Sequence, residues 1–219
     1  MNNDTKNKLT SGTNQSDLTS GNACWETPPL VFEKLNADFG PFDVDLTADV
    51  QRHLCDVWFG PDSNVGEFDA LTADWWSHGL NGYSNPPYGP FIQQLLPKAK
   101  YWALEGFITT LLLPMRVTKA FKAHILKHAG QLGASDLLFC DSRLTFFENG
   151  IPRLNEKQWV QHGKAVADPA VFDSIIVRYC PHATVLNVDI WHVPKHVTAA
   201  DLSRAVLARE RREAFAEIA

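Results

Sequence analysis

The order of patterns along this chain predicts an α/β fold: a sheet with helices on both faces and an antiparallel edge near the C-terminus. Three observations carry that expectation. Strand-like and helix-like segments alternate through the middle of the chain. The run GFITTLLLP (106–114) is continuously apolar and β-branched, as suits a strand buried on both faces. Strand-rich sequence follows from residue 136. A chain of 219 residues, 45% hydrophobic and with seven Trp, can furnish the core of one such domain with an appended helix.

Each element has a local reason. Residues 1–22 are Asn, Asp, Ser, Thr, Gly, Lys and Gln with little else, and are expected to form a disordered tail. The domain is expected over 23–195. TPPLVFEKLNADFG (27–40) predicts a helix capped by Thr27, with Pro28 in its first turn and Gly40 at its end. Leu30, Phe32 and Leu35 would supply most of its apolar contacts. In PFDVDLTA, Phe42, Val44 and Leu46 alternate with polar residues, a strand pattern. DVWF (56–59) and GYSN (82–85) read as further short strands. Residues 90–106 predict a helix that Pro97 must kink or interrupt, and 117–130 a helix closed by Gly130. Strands are expected within 136–147, 171–179 and 184–191, with 148–170 irregular between them. Thr198 and Asp201 stand in capping-box spacing and open an amphipathic helix over 196–219. Its stripe of Leu202, Val206, Leu207, Phe215 and Ile218 is expected to dock on the domain or on a second copy, giving a homodimer.

Bulk properties narrow the function. A net charge of −5 argues against a protein that coats nucleic acid nonspecifically. Arg116, Lys119, Lys122 and Lys127 nevertheless cluster without an acid, with Lys98 and Lys100 upstream, as either a solvated face or a phosphate-contacting patch. No apolar run is long enough to span a bilayer. No signal-peptide pattern opens the chain, so a cytoplasmic protein with reduced thiols at Cys24, Cys55, Cys140 and Cys180 is expected. Those thiols lack zinc spacing. His124 and His128 lack the Glu of an HExxH site, His192 and His196 are interrupted by Pro194, and no GxSxG elbow is present.

The stretch SNPPYGPF (84–91) carries the chemistry. It lies between a strand and a helix, the rim where open α/β sheets bind ligands. Its prolines stiffen the loop. An exocyclic aromatic amine is a poor nucleophile because its lone pair is delocalised, and it needs acceptors for its two hydrogens as nitrogen becomes tetrahedral. The side-chain oxygen of Asn85 and the carbonyl of Pro86 suit that role, and Tyr88 offers a flat face for a planar base.

NPPY is the signature of S-adenosylmethionine-dependent amino-methyltransferases, and the wider pattern resembles the phage-type DNA N6-adenine methyltransferase (Dam) family. The similarity runs from about Trp25 to Tyr179 through WETPPLVFEKLNADFG, FDVDLTAD, EFDALTADWW, SNPPYGPF, LLLPMRVTKAF, SRLTFFENG and FDSIIVRY. Ser142 stands where the family usually has Gly.

That resemblance implies a Rossmann-like class I methyltransferase sheet, S-adenosylmethionine as cofactor, DNA as partner, and the cytoplasm of a bacterial or phage-infected cell. It implies that Asn85, Pro86, Pro87 and Tyr88 form the catalytic motif. Asp45 would meet the ribose or amino-acid part of the cofactor, Asp69 its adenine amine, and Thr27 and Pro28 its methionine end. For Asp45 and Asp69, a cap or a strand-end turn is the alternative. The Gly-rich loop common in such enzymes is absent. A target adenine in duplex DNA must leave the stack. Arg116, Lys119 and Arg143 are candidate DNA-backbone contacts, or else solvated charges, and 148–170 is a candidate recognition segment. Methylation of RNA or a protein glutamine, or nucleic-acid binding on a decayed methyltransferase fold, are the rival readings. The intact Asn85–Tyr88 motif argues against decay.

Overall fold

The computed structural model describes residues 25–126 and 134–216. The expected tail, Cys24, Lys127, His128, Gly130 and Ile218 lie outside them.

The elements follow in chain order as α1 (Pro29–Phe39), β1 (Val44–Asp45), β2 (Val57–Trp58), β3 (Asn81–Ser84), α2 (Pro90–Leu104), β4 (Ile108–Pro114), α3 (Lys119–Phe121), β5 (Asp136–Cys140), β6 (Phe147–Glu148), β7 (Ile151–Pro152), α4 (Glu156–His162), β8 (Ser174–Tyr179), β9 (Asn187–Trp191) and α5 (Ala199–Ala216). A 3-10 turn spans Trp76–His78, and α3 continues as a π-helical turn over Lys122–Leu126. Seven strands form a mixed, mostly parallel sheet in the order β2-β1-β3-β4-β8-β5-β9, and β6 pairs with β7 in a separate hairpin.

Side-chain alternation places a core on each face of this sheet. Leu111, Leu113, Leu137, Ile175 and Val177 point into one core, completed by Leu95, Leu96, Ala99 and Ala103 of α2 and by Phe121. Leu112, Leu138 and Ile176 point into the other, against Val31 and Leu35 of α1. Helices therefore cover both faces.

The antiparallel strand is not at the edge. β8 is the reversed one, and it lies between β4 and β5, antiparallel to both. The edge strand β9 runs parallel to β5. Burial explains the placement. β8 is buried at five of its six positions and needs neighbours on both sides, whereas β9 exposes Asn187 to Ile190 and carries Asp189 on the open edge.

Other expectations shift locally. The N-cap of α1 is Pro28, with no side-chain cap, and Pro29 fills the first turn. Val31 and Leu35 are its buried residues; Leu30 is exposed and Phe32 only half-buried. α2 continues through Pro97, which lies on the solvent side, where water can satisfy the carbonyl that its ring leaves free. Within 148–170 the chain is more regular than its composition suggests. Asn149 and Gly150 adopt φ of 54° and 73°, the left-handed pair of a two-residue hairpin turn, and make β6–β7. α4 is capped by Asn155, which accepts from the Gln158 N–H, and ends at left-handed Gly163.

The capping box of α5 forms as expected. The Thr198 N–H donates to Asp201 Oδ2 at 2.8 Å, and the Asp201 N–H to Thr198 Oγ1 at 3.1 Å. The helix packs on β7, and Arg209 pairs with Glu156 of α4 while lying over the Trp159 ring. Its buried positions are Asp201 and Ala205; Leu207 and Phe215 are exposed. No helix among the described residues is long and apolar enough to cross a membrane.

Candidate active site

β1 and β3 are adjacent and parallel, with Asp45 in register with Tyr83, so their carboxyl ends open onto one rim. Beyond β3 the chain enters Asn85-Pro86-Pro87-Tyr88. Gly89, at φ 116°, then turns it into α2, a backbone angle that favours glycine. A cavity of about 320 Å³ occupies the rim, lined by Glu26, Thr27, Asp45, Phe68, Asp69 and Asn85 among others. That volume is within the range of small-molecule sites.

Asn85 is held by two contacts. Its Nδ2 donates to the Trp25 carbonyl at 2.8 Å, and its Oδ1 accepts from the Tyr88 hydroxyl at 3.3 Å. A carbonyl only accepts, so the Trp25 contact fixes which end of the amide is NH₂ and turns the oxygen to the other side. Pro86 is buried, while Pro87 is exposed and lines the cavity. Tyr88 is half-buried in an aromatic cluster, edge-on to Trp25, Phe146 and Phe172, and Trp25 itself stacks on Phe172. Burial pushes the Tyr88 phenol well above its usual pKa, against a weaker opposing pull from Arg116. The hydroxyl stays protonated and is no base.

The carboxylates differ. Asp45 is only 3% exposed. Its oxygens accept from the Thr47 N–H at 3.4 Å and the Leu54 N–H at 3.2 Å. Burial pushes its pKa up to about 7, against the lowering effect of those two bonds. Asp69 is exposed and accepts from the Leu71 N–H at 2.8 Å, so its turn role is realised while it also lines the cavity. Thr27 is buried and exchanges a 2.6 Å hydrogen bond with the Tyr83 hydroxyl rather than capping α1. Pro28 is buried, and its carbonyl accepts from Val31 and Phe32 in the first turn of α1.

The basic residues separate into two groups. Arg116 and Lys119 are exposed, and Arg116 lines a second cavity of about 150 Å³ together with Tyr88. Arg143 is exposed but pairs with Asp173 at 3.1 Å. Lys98 donates to the Leu71 and Ala73 carbonyls, both at 2.7 Å, and so serves the fold.

The DNA N-6-adenine-methyltransferase (Dam) family model matches residues 15–168. The chain belongs to that family. No curated protein and no solved structure matches it. In this Dam-family chain the motif residues Asn85 and Pro87 meet Asp45, Asp69 and Thr27 around one cavity and Tyr88 lines the second, whereas Arg143 is tied to Asp173 and Pro28 to α1.

Sequence reasoning missed Trp25 and Glu26 at the cavity and Phe146 and Phe172 against Tyr88. WETPP and RLTFF were legible as family segments, but nothing in their spacing shows that they converge. It also passed over His196, whose Nδ1 donates to the Pro194 carbonyl at 3.0 Å, leaving Nε2 to accept from the Thr145 N–H at 2.9 Å. That bond anchors the backbone next to Phe146.

Proposed function

We propose that this chain methylates the exocyclic N6 of adenine in DNA, with S-adenosylmethionine as cofactor and with the target base flipped out of the helix. The observation that carries this reading is the fixed amide of Asn85, placed between a small-molecule cavity and the Tyr88 ring on a parallel-sheet rim. A seven-stranded sheet with a single reversed strand inside it also suits a Rossmann-like class I methyltransferase.

What supports the cofactor is the donor set. The cavity combines apolar walls at Leu46, Phe59 and Phe68 with the carboxyl groups of Asp45 and Asp69. Those walls suit a flat nucleobase, and the acids suit its amine and the ribose hydroxyls or an ammonium group. S-adenosylmethionine bound there supplies an electrophilic methyl group on a sulfonium.

The chain's own residues then prepare the amine. Asn85 Oδ1 and the Pro86 carbonyl accept its two hydrogens and favour a tetrahedral nitrogen. Because carbonyl dipoles complement positive charge developing on nitrogen, no ionised base is needed before attack. Tyr88, protonated and braced by its aromatic neighbours, stacks on the base and recovers part of the unstacking cost. After transfer the extra proton leaves nitrogen for water past Asn85 Oδ1.

Incubating the protein with unmethylated DNA and S-adenosylmethionine, followed by nucleoside mass spectrometry, tests this. N6-methyladenine is the expected product. Its absence, or methylation of another base, overturns the reading.

A further inference from the structure

Glu26 lies in the strap that leads into α1, and three sets of contacts meet there. Its own carboxylate accepts from two consecutive backbone amides of the β6–β7 turn, Asn149 N–H to Oε1 at 2.9 Å and Gly150 N–H to Oε2 at 2.8 Å. Its backbone exchanges two hydrogen bonds with Phe147, at 2.9 and 3.0 Å, and adds a bridge to β6. On either side of it, the Trp25 carbonyl accepts from Asn85 Nδ2, and Thr27 bonds to Tyr83 beneath the motif. Trp25, Glu26 and Thr27 all line the cavity.

The chemistry of the turn accounts for the carboxylate. Two successive N–H groups at left-handed residues form a small concavity that attracts an anion. Here a side chain from a segment more than a hundred residues away supplies it, with separations of 123 and 124 positions. Both carboxylate oxygens are engaged, so the negative charge is directed at the turn.

We infer that Glu26 is a positioning residue whose carboxylate latches the β6–β7 hairpin to the strap that orients the Asn85 amide. The inference rests on the methyl-transfer reading of Asn85. Without the carboxylate the strap keeps only its two backbone bonds to Phe147, and the Trp25 carbonyl that fixes the direction of Asn85 Oδ1 is held less firmly. A misplacement of about 1 Å at a reacting group can cost about a hundredfold in rate.

Amide hydrogen exchange and steady-state kinetics together test the latch. In Glu26→Ala, Asn149 and Gly150 are expected to lose protection. Its kcat is expected to fall about tenfold to a hundredfold, with KM for S-adenosylmethionine changed less than about threefold. Glu26→Gln keeps one acceptor oxygen without the charge, and serves also if the alanine variant does not fold. It should release one turn amide and keep kcat within about threefold of the parent. Parent-like exchange in Glu26→Ala overturns the latch, as does undiminished kcat. A Glu26→Gln variant more impaired than Glu26→Ala would also overturn it, since the glutamine keeps one of the two turn bonds. If the parent protein transfers no methyl group to DNA, the functional reading falls, and the exchange data still decide whether the latch exists.

Discussion

The two halves of the sheet differ in how far their strands stay paired. β4 and β8 hold register over six residue pairs, from Thr109↔Tyr179 to Pro114↔Ser174, and β5 joins them over four. On the other side, β1 pairs with each of β2 and β3 over only two. The long half buries side chains on both faces and contributes to both cores. The short half releases its chain early, and the freed segments after β1 and β3 wall the cavity. Stability and chemistry are therefore separable along the sheet, and substitutions in the two halves should fail in different ways.

The largest effect belongs to the long half. Leu112 is fully buried at the centre of β4. Leu112→Ala should lower unfolding free energy by about 2–5 kcal/mol, from lost burial plus the cavity left behind. Chemical denaturation checks this, and a smaller loss would mean that the core collapses onto the vacancy. Asn85→Ala should do the reverse, lowering kcat about a hundredfold or more while thermal unfolding changes little. Retained turnover would remove Asn85 from the mechanism. Tyr88→Ala should come next. Base–aromatic stacking contributes about 1–3 kcal/mol, so KM for DNA should rise while cofactor affinity in calorimetry holds. The opposite pattern would place Tyr88 on the cofactor.

The same contrast explains what the sequence made legible. GFITTLLLP and FDSIIVRY announced buried strands, because residues buried on both faces must be apolar throughout. The motif and the rim were legible because a strand, NPPY and a helix follow one another without a gap. Placement of the reversed strand was not, since pairing order depends on contacts far apart in the chain. Thr27 read as a cap from local spacing, and a tertiary partner, Tyr83, claimed its hydroxyl instead. Asn149-Gly150 and Asn155 to Gly163 did carry local hairpin and helix signals. They were submerged in a segment whose polar composition suggested an irregular loop.

A pH profile sharpens the short half alone. The Asp45 carboxyl, raised to about 7, holds its proton in the folded protein after an unfolded chain has ionised. Its contribution to stability is therefore full below the ordinary carboxylate value of 3.8 and is lost as pH rises toward about 7. A cofactor group that bonds to the ionised form reverses this preference. Calorimetric affinity for S-adenosylmethionine should then increase with pH up to about 7 and level off above it, by no more than about tenfold per unit. Asp45→Asn should flatten the profile. A parent protein with affinity independent of pH would exclude Asp45 as an ionised cofactor ligand.

The smallest effect lies at the boundary between the halves, where β4 ends and the basic segment begins. Arg116 is exposed and has no carboxylate partner among the described residues, and it lies beside Tyr88 across the second cavity. Arg143 is also exposed but is paired with Asp173. An unpaired cation that meets a phosphate releases about one counterion, whereas a cation already held by a carboxylate must first give up that partner. Arg116→Ala should therefore reduce the slope of log affinity against log salt by about one unit, uniformly across DNA sequences. Arg143→Ala should reduce it less. Equal slopes for both variants would mean that the Asp173 pair opens on DNA binding, and an unchanged slope for Arg116→Ala would move the backbone contact elsewhere, with exposed Lys119 the next residue to test.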